Sequence, residues 1–290
     1  MKKEINLSIQ KQLLELTNIK FSRKYISKFI IPIIEYIATS QKKKFLIGGS
    51  QGIGKTTLLK VIKKNIKTYY DKNVFTLSLD DYYLTKNERL ILSKNIHPLL
   101  ITRGVPGTHN IKQLIKDIKK FENYKYPIRT PIFDKLIDDR LMKKKIEYLK
   151  SDILILEGWC CGSAHINNEY LLKNLNKLEK NNDFNLVWRK YYNNKLKYEY
   201  KILFKMFDSK IFFKAPSFTY ILNWKLKQER MNKSNSKLQK KMNKKNIIYF
   251  IQHYEKITKW MFKTLIKKAN VVIKVNKNQK IFSIFYKKIY

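Results

Sequence analysis

The sequence predicts an α/β fold in three layers, in which a mostly parallel sheet is flanked by helices. The apolar run at residues 44–47 suits a buried strand, and a glycine-containing loop and a helical pattern follow it. Two further apolar runs, at residues 73–79 and 151–159, have the length of strands and are separated by helical patterns. Strands that alternate with helices indicate parallel pairing with helices on both faces.

Residues 49–56 match the phosphate-binding loop pattern G-x-x-x-x-G-K-[ST] at every fixed position. Between a strand and a helix, such a loop directs backbone N–H groups and a helix N-terminus at an anion. The fold class is therefore the P-loop NTPase sandwich, with ATP and Mg²⁺ as its ligands. Lys55 would reach the outer phosphates and the Thr56 hydroxyl would ligate Mg²⁺, with Thr57 as a second choice. The predicted nucleotide-binding residues are Gly49, Ser50, Gln51, Gly52, Ile53, Gly54, Lys55, Thr56 and Thr57.

Acidic residues end the two later strands. Asp80 and Asp81 follow the strand at 73–79, and Glu157 ends the strand at 151–159. Ligands of open α/β sheets bind outside the carboxyl ends of the strands, so Asp80 is predicted to orient and deprotonate an attacking hydroxyl. The alternative is that it caps the next helix. Asp81 is predicted to be structural, to hold a Mg²⁺-bound water or to contact the substrate. Glu157 is predicted to lie near Mg²⁺, directly or through water, and to be catalytic together with Lys55 and Asp80.

Two segments rich in charged and turn-forming residues lie between these strands. Residues 103–109 read RGVPGTH, a composition typical of a shaped loop. Arg103 could pair there with an anionic substrate, and Thr108 or Asn110 could cap the next helix. Residues 129–140 predict a short extended segment that carries charged side chains towards the same cleft. The alternative for that segment is a structural cluster of salt bridges.

The composition limits the classes of function. The formal net charge of +40 invites a nucleic-acid interpretation, but only seven of the 62 basic residues are Arg, so the excess fits a solvated lysine coat and nucleic-acid binding is predicted to be unlikely. The two Cys residues are adjacent, which excludes a disulfide framework. No apolar run is long enough to span a bilayer, and no signal peptide is recognised. We therefore expect a cytoplasmic protein with no membrane association. Its oligomeric state stays open, with a monomer as the working expectation.

Seven segments together resemble the plant-type D-glycerate 3-kinase family, within the uridine kinase, phosphoribulokinase and pantothenate kinase group of P-loop kinases. They are GGSQGIGKTT, SLDDYYLT, RGVPGTH, PIFDKLIDDR, LEGWCCG, KAPSF and QHYE, spread over residues 45–275. The resemblance implies ATP-dependent phosphorylation of a small hydroxy acid, most simply D-glycerate to 3-phosphoglycerate. It implies that Asp80 activates the substrate hydroxyl and that Arg103 and Arg140 bind the substrate carboxylate, with Asp134 as a further substrate contact.

The sequence departs from the family pattern at Asn110 and Asn270, where the family places acidic residues. These departures leave open a kinase for another small acceptor, such as a nucleoside or a pantothenate-like compound. The basic coat leaves a second alternative, a non-catalytic NTP-dependent RNA-binding protein. The predicted organisation is a helical extension at residues 1–40 and a P-loop kinase domain at residues 41–290. That domain is expected to carry a helical lid at about 217–245, a lysine-rich loop at 234–246 and a final strand at 270–275 that closes the sheet.

Overall fold

A six-stranded sheet forms the centre of the fold. The computed structural model describes residues 2–141, 143–232 and 244–287. The strand order is β10-β9-β8-β1-β7-β2, and every neighbouring pair is parallel except β9 and β10. These strands are β1 (Lys44–Gly49), β2 (Val74–Ser78), β7 (Ile153–Gly158), β8 (Ser209–Lys214), β9 (Val271–Val275) and β10 (Ile281–Tyr286).

Two short hairpins stand apart from the main sheet. One pairs β3 (Ile128–Thr130) with β6 (Ile146–Tyr148), and the other pairs β4 (Phe133–Asp134) with β5 (Asp139–Arg140). The second hairpin is the extended segment that the sequence predicted between residues 129 and 140.

Helices make up most of the remaining described chain. They are α1 (Lys2–Thr17), α2 (Arg23–Tyr25), α3 (Ile31–Thr39), α4 (Lys55–Tyr70), α5 (Lys86–Asn95), α6 (Ile111–Glu122), α7 (Asn168–Leu172), α8 (Lys177–Asn182), α9 (Val187–Lys195), α10 (Lys201–Lys205), α11 (Phe218–Asn232) and α12 (Lys244–Lys268). Wider π-helical turns at Ile26–Ile30 and Leu196–Tyr200 link α2 to α3 and α9 to α10.

The two faces of the sheet carry two separate cores, because successive side chains of a strand point to opposite faces. On β1, Leu46 belongs to the core covered by α6, α9 and α12, whereas Phe45 and Ile47 belong to the core covered by α1, α3 and α4. The three layers confirm the predicted fold class. The helices of residues 2–39 contribute buried side chains such as Ile9 and Ile34 to the second core, so they complete one layer.

Two predictions concern the C-terminal part of the chain. The prediction that residues 270–275 close the sheet was wrong, since β10 follows β9 and pairs antiparallel with it at the edge. A tight turn at residues 276–280 makes this return possible. Of the predicted lid, α11 and the start of α12 lie within the described chain, whereas residues 233–243, which include most of the predicted loop at 234–246, lie outside it.

Among the described helices, none has both the length and the apolar character to cross a membrane.

The sheet order brings the motif-bearing strands together. β7 lies between β1 and β2, and its residue Glu157 is in register with Ile47 on one side and Ser78 on the other. The P-loop follows β1, and the acidic pair Asp80–Asp81 follows β2. All three groups therefore emerge at the carboxyl edge of the sheet, where open α/β sheets bind ligands.

Candidate active site

The P-loop connects β1 to the first turn of α4. Gly54, the residue before α4, has a φ of +97°, a left-handed conformation that glycine adopts without strain. Lys55 is buried and its Nζ donates to the carbonyl oxygens of Gly49 at 2.6 Å and Ser50 at 3.1 Å. Thr56, one residue further into the helix, is exposed at the helix N-terminus. The loop thus presents a lysine, a hydroxyl and a helix N-terminus on one side, as anion binding requires.

The remaining predicted loop residues complete this loop. Ser50 and Ile53 are buried, Gln51 and Gly52 are partly buried, and Thr57 lies on α4 directly after Thr56. The side-chain amide of Gln279, in the turn between β9 and β10, donates to the Gly52 carbonyl. The last two strands therefore help to fix the loop from the sheet edge.

Glu157 faces the P-loop lysine from the neighbouring strand. Its Oε1 accepts a hydrogen bond from the Ser78 hydroxyl at 2.8 Å, and the side chain is almost fully buried. Burial raises the pKa of Glu157, although the charge of Lys55 opposes the rise. Burial also lowers the pKa of Lys55, while Glu157 and then Asp80 act to raise it. The charges of Lys55, Asp80 and Glu157 therefore influence one another's pKa values in a buried site.

Asp80 lies in the 3₁₀ turn after β2, and both of its carboxylate oxygens are engaged. Oδ1 accepts from the Tyr83 hydroxyl at 2.7 Å, and Oδ2 forms an ion pair with Lys135 Nζ at 2.6 Å. Burial alone would raise the pKa of this carboxyl, but Lys135 and Tyr83 hold it well below its usual range. Asp80 is consequently a carboxylate at neutral pH. It does not cap α5, because Thr85 and Glu88 form the capping box of that helix.

The β4–β5 hairpin is held against the acidic pair. Asp81 Oδ1 accepts from the backbone N–H of Phe133 at 3.2 Å, and Asp134 Oδ1 accepts from the backbone N–H of Leu136 at 2.8 Å. Burial, with a smaller contribution from the neighbouring Asp80, raises the pKa of Asp81 to about 6. Asp81 therefore anchors the hairpin and Asp134 shapes its turn, which is the structural role that the sequence left open for Asp81.

Arg103 and the buried Arg89 share Asp138 at the tip of this hairpin. One oxygen of Asp138 pairs with Arg103, and the other lies 3.0 Å from Arg89. The Arg103 guanidinium also lies over the Phe133 ring, 5.4 Å from its centroid. Arg103 is thus close to the cleft, but an acidic neighbour already balances its charge.

Arg140 lies at the base of the hairpin. Its Nε donates to the carbonyl oxygen of Tyr83 at 2.6 Å, and another guanidinium nitrogen donates to that of Tyr82 at 3.1 Å. These bonds hold the turn that carries Asp80. The described contacts of Arg140 therefore position the turn that carries Asp80, and the sequence offered no signal for this use.

The RGVPGTH loop packs against α12 and β7. The Tyr254 hydroxyl donates to the Arg103 carbonyl at 2.7 Å, and Trp159 Nε1 donates to the Gly104 carbonyl at 2.9 Å. A side chain at Gly104 would collide with the Tyr254 ring, so only glycine permits this approach. At the end of the loop, Asn110 caps α6 by accepting from Gln113 N at 3.0 Å. An acidic residue at that position would cap in the same way, so the departure at Asn110 preserves the local structure.

His109 is buried beside the turn that carries Asp80. Its ring lies 4.5 Å from the Tyr83 ring, and its Nδ1 is 2.6 Å from the Tyr200 hydroxyl. Burial lowers the pKa of His109 to about 3, so the imidazole is neutral at physiological pH. Within the described chain, no group hydrogen-bonds its buried Nε2.

Two cavities lie at opposite edges of the sheet. One of about 440 Å³ lies next to the P-loop, beyond the carboxyl ends of β8 and β9, and is lined by Lys214, Pro216, Tyr220, Lys274, Val275, Asn276, Lys277, Asn278 and Phe282. Trp224 Nε1 donates to the Lys277 carbonyl at 2.9 Å and so fixes its wall. The other, of about 650 Å³, opens at the amino ends of the strands and includes Lys44, Asp152 and Asp208. It lies at the edge opposite to the P-loop.

The donor set at the P-loop suits Mg²⁺ bound together with phosphates. Mg²⁺ in such sites takes one or two protein oxygens and completes its shell with water and substrate phosphates. The Thr56 hydroxyl and the Glu157 carboxylate are oxygen donors of this kind. Among the described residues there is no cluster of three or more His, Cys, Asp or Glu that could hold a metal alone, as expected where a nucleotide provides the remaining ligands.

The structure thus brings Lys55, Asp80 and Glu157 together at one edge of the sheet, with Asp81 and Arg103 around them. Asp134 and Arg140 instead make local contacts within the hairpin and with the turn that carries Asp80. Sequence reasoning missed Ser78, Tyr83 and Lys135. Lys135 stands directly after the predicted Asp134 in the FDK segment, so the segment was identified without this residue.

No family model matches the sequence. An uncharacterized kinase of Schizosaccharomyces pombe is 29% identical over 238 residues, which cover 78% of this chain and 83% of that protein. A probable ATP-dependent kinase of Saccharomyces cerevisiae is 28% identical over 260 residues, covering 82% of this chain and 83% of that protein. The solved structure of D-glycerate 3-kinase from Cryptococcus neoformans has a TM-score of 0.72 at 22% identity, with 91% of this chain and 98% of that chain covered.

These matches extend over most of the chain. They confirm the resemblance that the seven sequence segments indicated, and the structural match confirms the P-loop fold. At 22% identity, the match to the Cryptococcus enzyme speaks for the fold alone. The acceptor must therefore be argued from the residues of the site.

Proposed function

We propose that this chain, an ATP-dependent P-loop small-molecule kinase, transfers the γ-phosphate of ATP to D-glycerate and forms 3-phosphoglycerate. The observation that carries the proposal is the ionised Asp80, which lies across the carboxyl edge of the sheet within electrostatic reach of Lys55 and beside the cations of the β4–β5 hairpin. A carboxylate faces the acceptor hydroxyl in such a site, and positive charge faces the transferring phosphoryl group.

Each catalytic residue has one task in the proposed reaction. Asp80 accepts the proton of the acceptor hydroxyl while the hydroxyl oxygen attacks the γ-phosphorus. Lys55 leaves the carbonyl oxygens of the loop and neutralises charge on the outer phosphates, which P-loop lysines do as point charges. Thr56 and Glu157 would hold Mg²⁺, which supplies charge neutralisation on the phosphate oxygens. Ser78 orients Glu157 through the hydrogen bond between their side chains.

The nucleotide base is assigned to the cavity beside the P-loop. Its volume of about 440 Å³ suits a nucleoside, and Tyr220 and Phe282 provide aromatic surface for stacking. The lining residues 276–278 directly precede Gln279, whose side-chain amide donates to the Gly52 carbonyl, so a base there would be close to phosphates on the loop.

The acceptor is assigned to the opposite side of Asp80, near the hairpin. An acceptor with a carboxylate suits this side because Lys135 and Arg103 both lie there. Arg103 is retained as a candidate for the carboxylate, since its guanidinium has five N–H donors and the pair with Asp138 engages one of its nitrogens. For Arg140 we propose the positioning of the Tyr82–Tyr83 turn in place of substrate binding.

The test is ATP consumption by the purified protein with Mg²⁺ against a panel of acceptors led by D-glycerate, with identification of the phosphorylated product. The panel includes a nucleoside and pantothenate for the alternative acceptors. Turnover of D-glycerate is expected in the wild type. Asp80→Asn should abolish that turnover and leave ATP binding intact, whereas Lys55→Ala should weaken ATP binding. The matched control is Lys60→Ala, an exposed lysine on the same helix.

The outcomes separate the candidates. A wild type that phosphorylates a nucleoside or pantothenate and ignores D-glycerate refutes the proposed acceptor and keeps the kinase. ATP binding without turnover of any acceptor, together with salt-sensitive RNA retention that Asp80→Asn leaves unchanged, supports the RNA-binding alternative.

A further inference from the structure

The ion pair between Lys135 and Asp80 occupies the oxygen that the proposed base needs. Oδ2 of Asp80 lies 2.6 Å from Lys135 Nζ, and Oδ1 accepts from the Tyr83 hydroxyl at 2.7 Å. A general base must offer an oxygen within hydrogen-bond distance of the proton that it takes. Each oxygen keeps a second acceptor site, but a carboxylate paired with an ammonium group is a weaker base, so Asp80 takes a proton more readily once one of these contacts breaks. The tyrosine is buried whereas the lysine is not.

Lys135 is the cation that can leave. Its side chain is 59% exposed, it follows β4 in the turn of the hairpin, and an ammonium on a four-carbon stem reorients easily. The neighbouring cations are held more firmly. Arg103 is paired with Asp138, and Arg140 donates to two backbone carbonyls.

The ion pair is not what fixes the hairpin. The backbone N–H of Phe133 is bound to Asp81 at 3.2 Å, and Asp139 Oδ1 accepts from the backbone N–H of Lys86 at 3.0 Å. Arg89 holds the tip of the hairpin through Asp138. The hairpin therefore keeps its place when Lys135 moves, and the pair with Asp80 is available for a functional role.

We propose that Lys135 is a latch on Asp80 that an anionic acceptor opens and a neutral acceptor does not. The inference rests on the proposed function and deepens it, since it names the feature of the acceptor that the site selects. The carboxylate of the acceptor takes the ammonium group, and Oδ2 becomes free for the acceptor hydroxyl. The hydroxyl oxygen then bonds to the γ-phosphorus, the bond from that phosphorus to the ADP oxygen breaks, and the proton passes to Oδ2.

Selectivity follows from this exchange. A neutral polyol has no carboxylate that could replace Asp80 as the partner of Lys135. Displacement of Lys135 by such an acceptor therefore costs the whole free energy of the ion pair. An acidic acceptor replaces one carboxylate by another on the same ammonium group. An ion pair with one largely exposed partner is strong enough for discrimination of about fivefold.

The test compares kcat/KM for D-glycerate and for glycerol, which carries a hydroxymethyl group in place of the carboxylate. The variants are Lys135→Met, which keeps the length of the stem, and Lys135→Arg, which keeps the charge. Lys116→Met is the matched control, an exposed lysine on α6. The wild type and the control should prefer D-glycerate by about fivefold or more. Lys135→Met should lose most of this preference through a lower kcat/KM for D-glycerate and an unchanged or higher value for glycerol, and Lys135→Arg should restore a large part of it.

Other results would overturn the latch or the proposed function, and the two failures can be told apart. A Lys135→Met variant that loses activity on both acceptors by the same factor overturns the latch and leaves the proposed function in place, because a merely structural role predicts an equal loss. Failure of the proposed function looks different: the wild type then ignores D-glycerate. The latch is in that case decided on the acceptor that the wild type does phosphorylate, compared with its amide or alcohol analogue, and an uncharged preferred acceptor overturns it.

Discussion

The Ser78 hydroxyl donates to the Glu157 carboxylate across the pairing of β2 and β7, with 2.8 Å between Oγ and Oε1. Glu157 is almost fully buried, and burial raises its pKa against the opposing effects of Lys55 and the Ser78 bond. The hydroxyl therefore favours the ionised form of Glu157 and aims one of its oxygens. Partners behind a metal ligand orient it in the same way.

Ser78→Ala is expected to raise the Mg²⁺ concentration required for half-maximal ATP turnover about tenfold, because Glu157 loses a hydrogen bond to its charged form. The KM for the acceptor should stay within about twofold of the wild-type value, since the substitution lies behind Glu157 on the nucleotide side of the site. A magnesium titration of initial rates measures both quantities. Ser93→Ala, an exposed serine on α5, is the control. An unchanged Mg²⁺ requirement would remove Glu157 from the metal site.

Asp81→Asn is expected to stabilise the protein above neutral pH. The pKa of Asp81 is raised to about 6, chiefly by burial, so the folded state disfavours the ionised carboxylate. A raised carboxyl pKa costs stability as pH rises above the unfolded value near 3.8, and the cost is complete above about pH 6. Asparagine removes the charge and still accepts from Phe133 N.

The gain should be about 1 to 3 kcal/mol at pH 8 and close to zero below pH 4. Urea unfolding at a series of pH values gives the free energy of unfolding for both proteins. Asp134→Asn is the control, because it removes a charge from the same hairpin. A gain that is the same at every pH would contradict a titrating origin.

Asp138→Asn is expected to destabilise the fold by about 2 to 4 kcal/mol, because it leaves the buried Arg89 guanidinium without its carboxylate. The same change frees Arg103 from its pair with Asp138. The loss in binding of an anionic acceptor should therefore be smaller than the loss in the free energy of unfolding. Chemical denaturation supplies the free energy of unfolding, and steady-state kinetics supply the KM for D-glycerate. Glu147→Gln, in an exposed pair with Arg129, should have little effect on either. A loss equal to that of the control would show that Arg89 depends on its backbone partners alone.

The phosphate-binding half of the site was predictable from sequence because its chemistry is local. The P-loop pattern is contiguous, and the strand that precedes it and the helix that follows it have clear periodicities. The positions of Asp80 and Glu157 at strand ends also follow from local apolar runs, since the carboxyl ends of parallel strands meet at one edge. Each of these inferences uses residues that are close in the chain.

The acceptor half was less predictable because its contacts join distant segments. The partner of Asp80 is Lys135, 55 residues later, and Arg140 donates to carbonyls 57 and 58 residues before it. The sequence identified the FDK–DDR segment but gave no means of deciding which of its charges faces the cleft. Strand β10 was missed for a related reason: its alternation of apolar and polar residues is weak, and Phe282 and Phe285 are exposed at the sheet edge.

The proposed position of the base gives the last prediction. Tyr220→Ala should raise the KM for ATP about tenfold and leave kcat within about twofold, because stacking on the base stabilises the bound nucleotide and the transition state equally. The readout is initial rate against ATP concentration at saturating acceptor, with Phe282→Ala as a second variant on the opposite part of the cavity lining. Tyr198→Ala, an exposed tyrosine in the π-helical turn at Leu196–Tyr200, should change neither constant. Both lining variants should also weaken binding of ADP measured by calorimetry, and they should bind inorganic triphosphate as the wild type does, since triphosphate has no base. If ADP and triphosphate are affected alike, the cavity supports the P-loop and the base binds elsewhere.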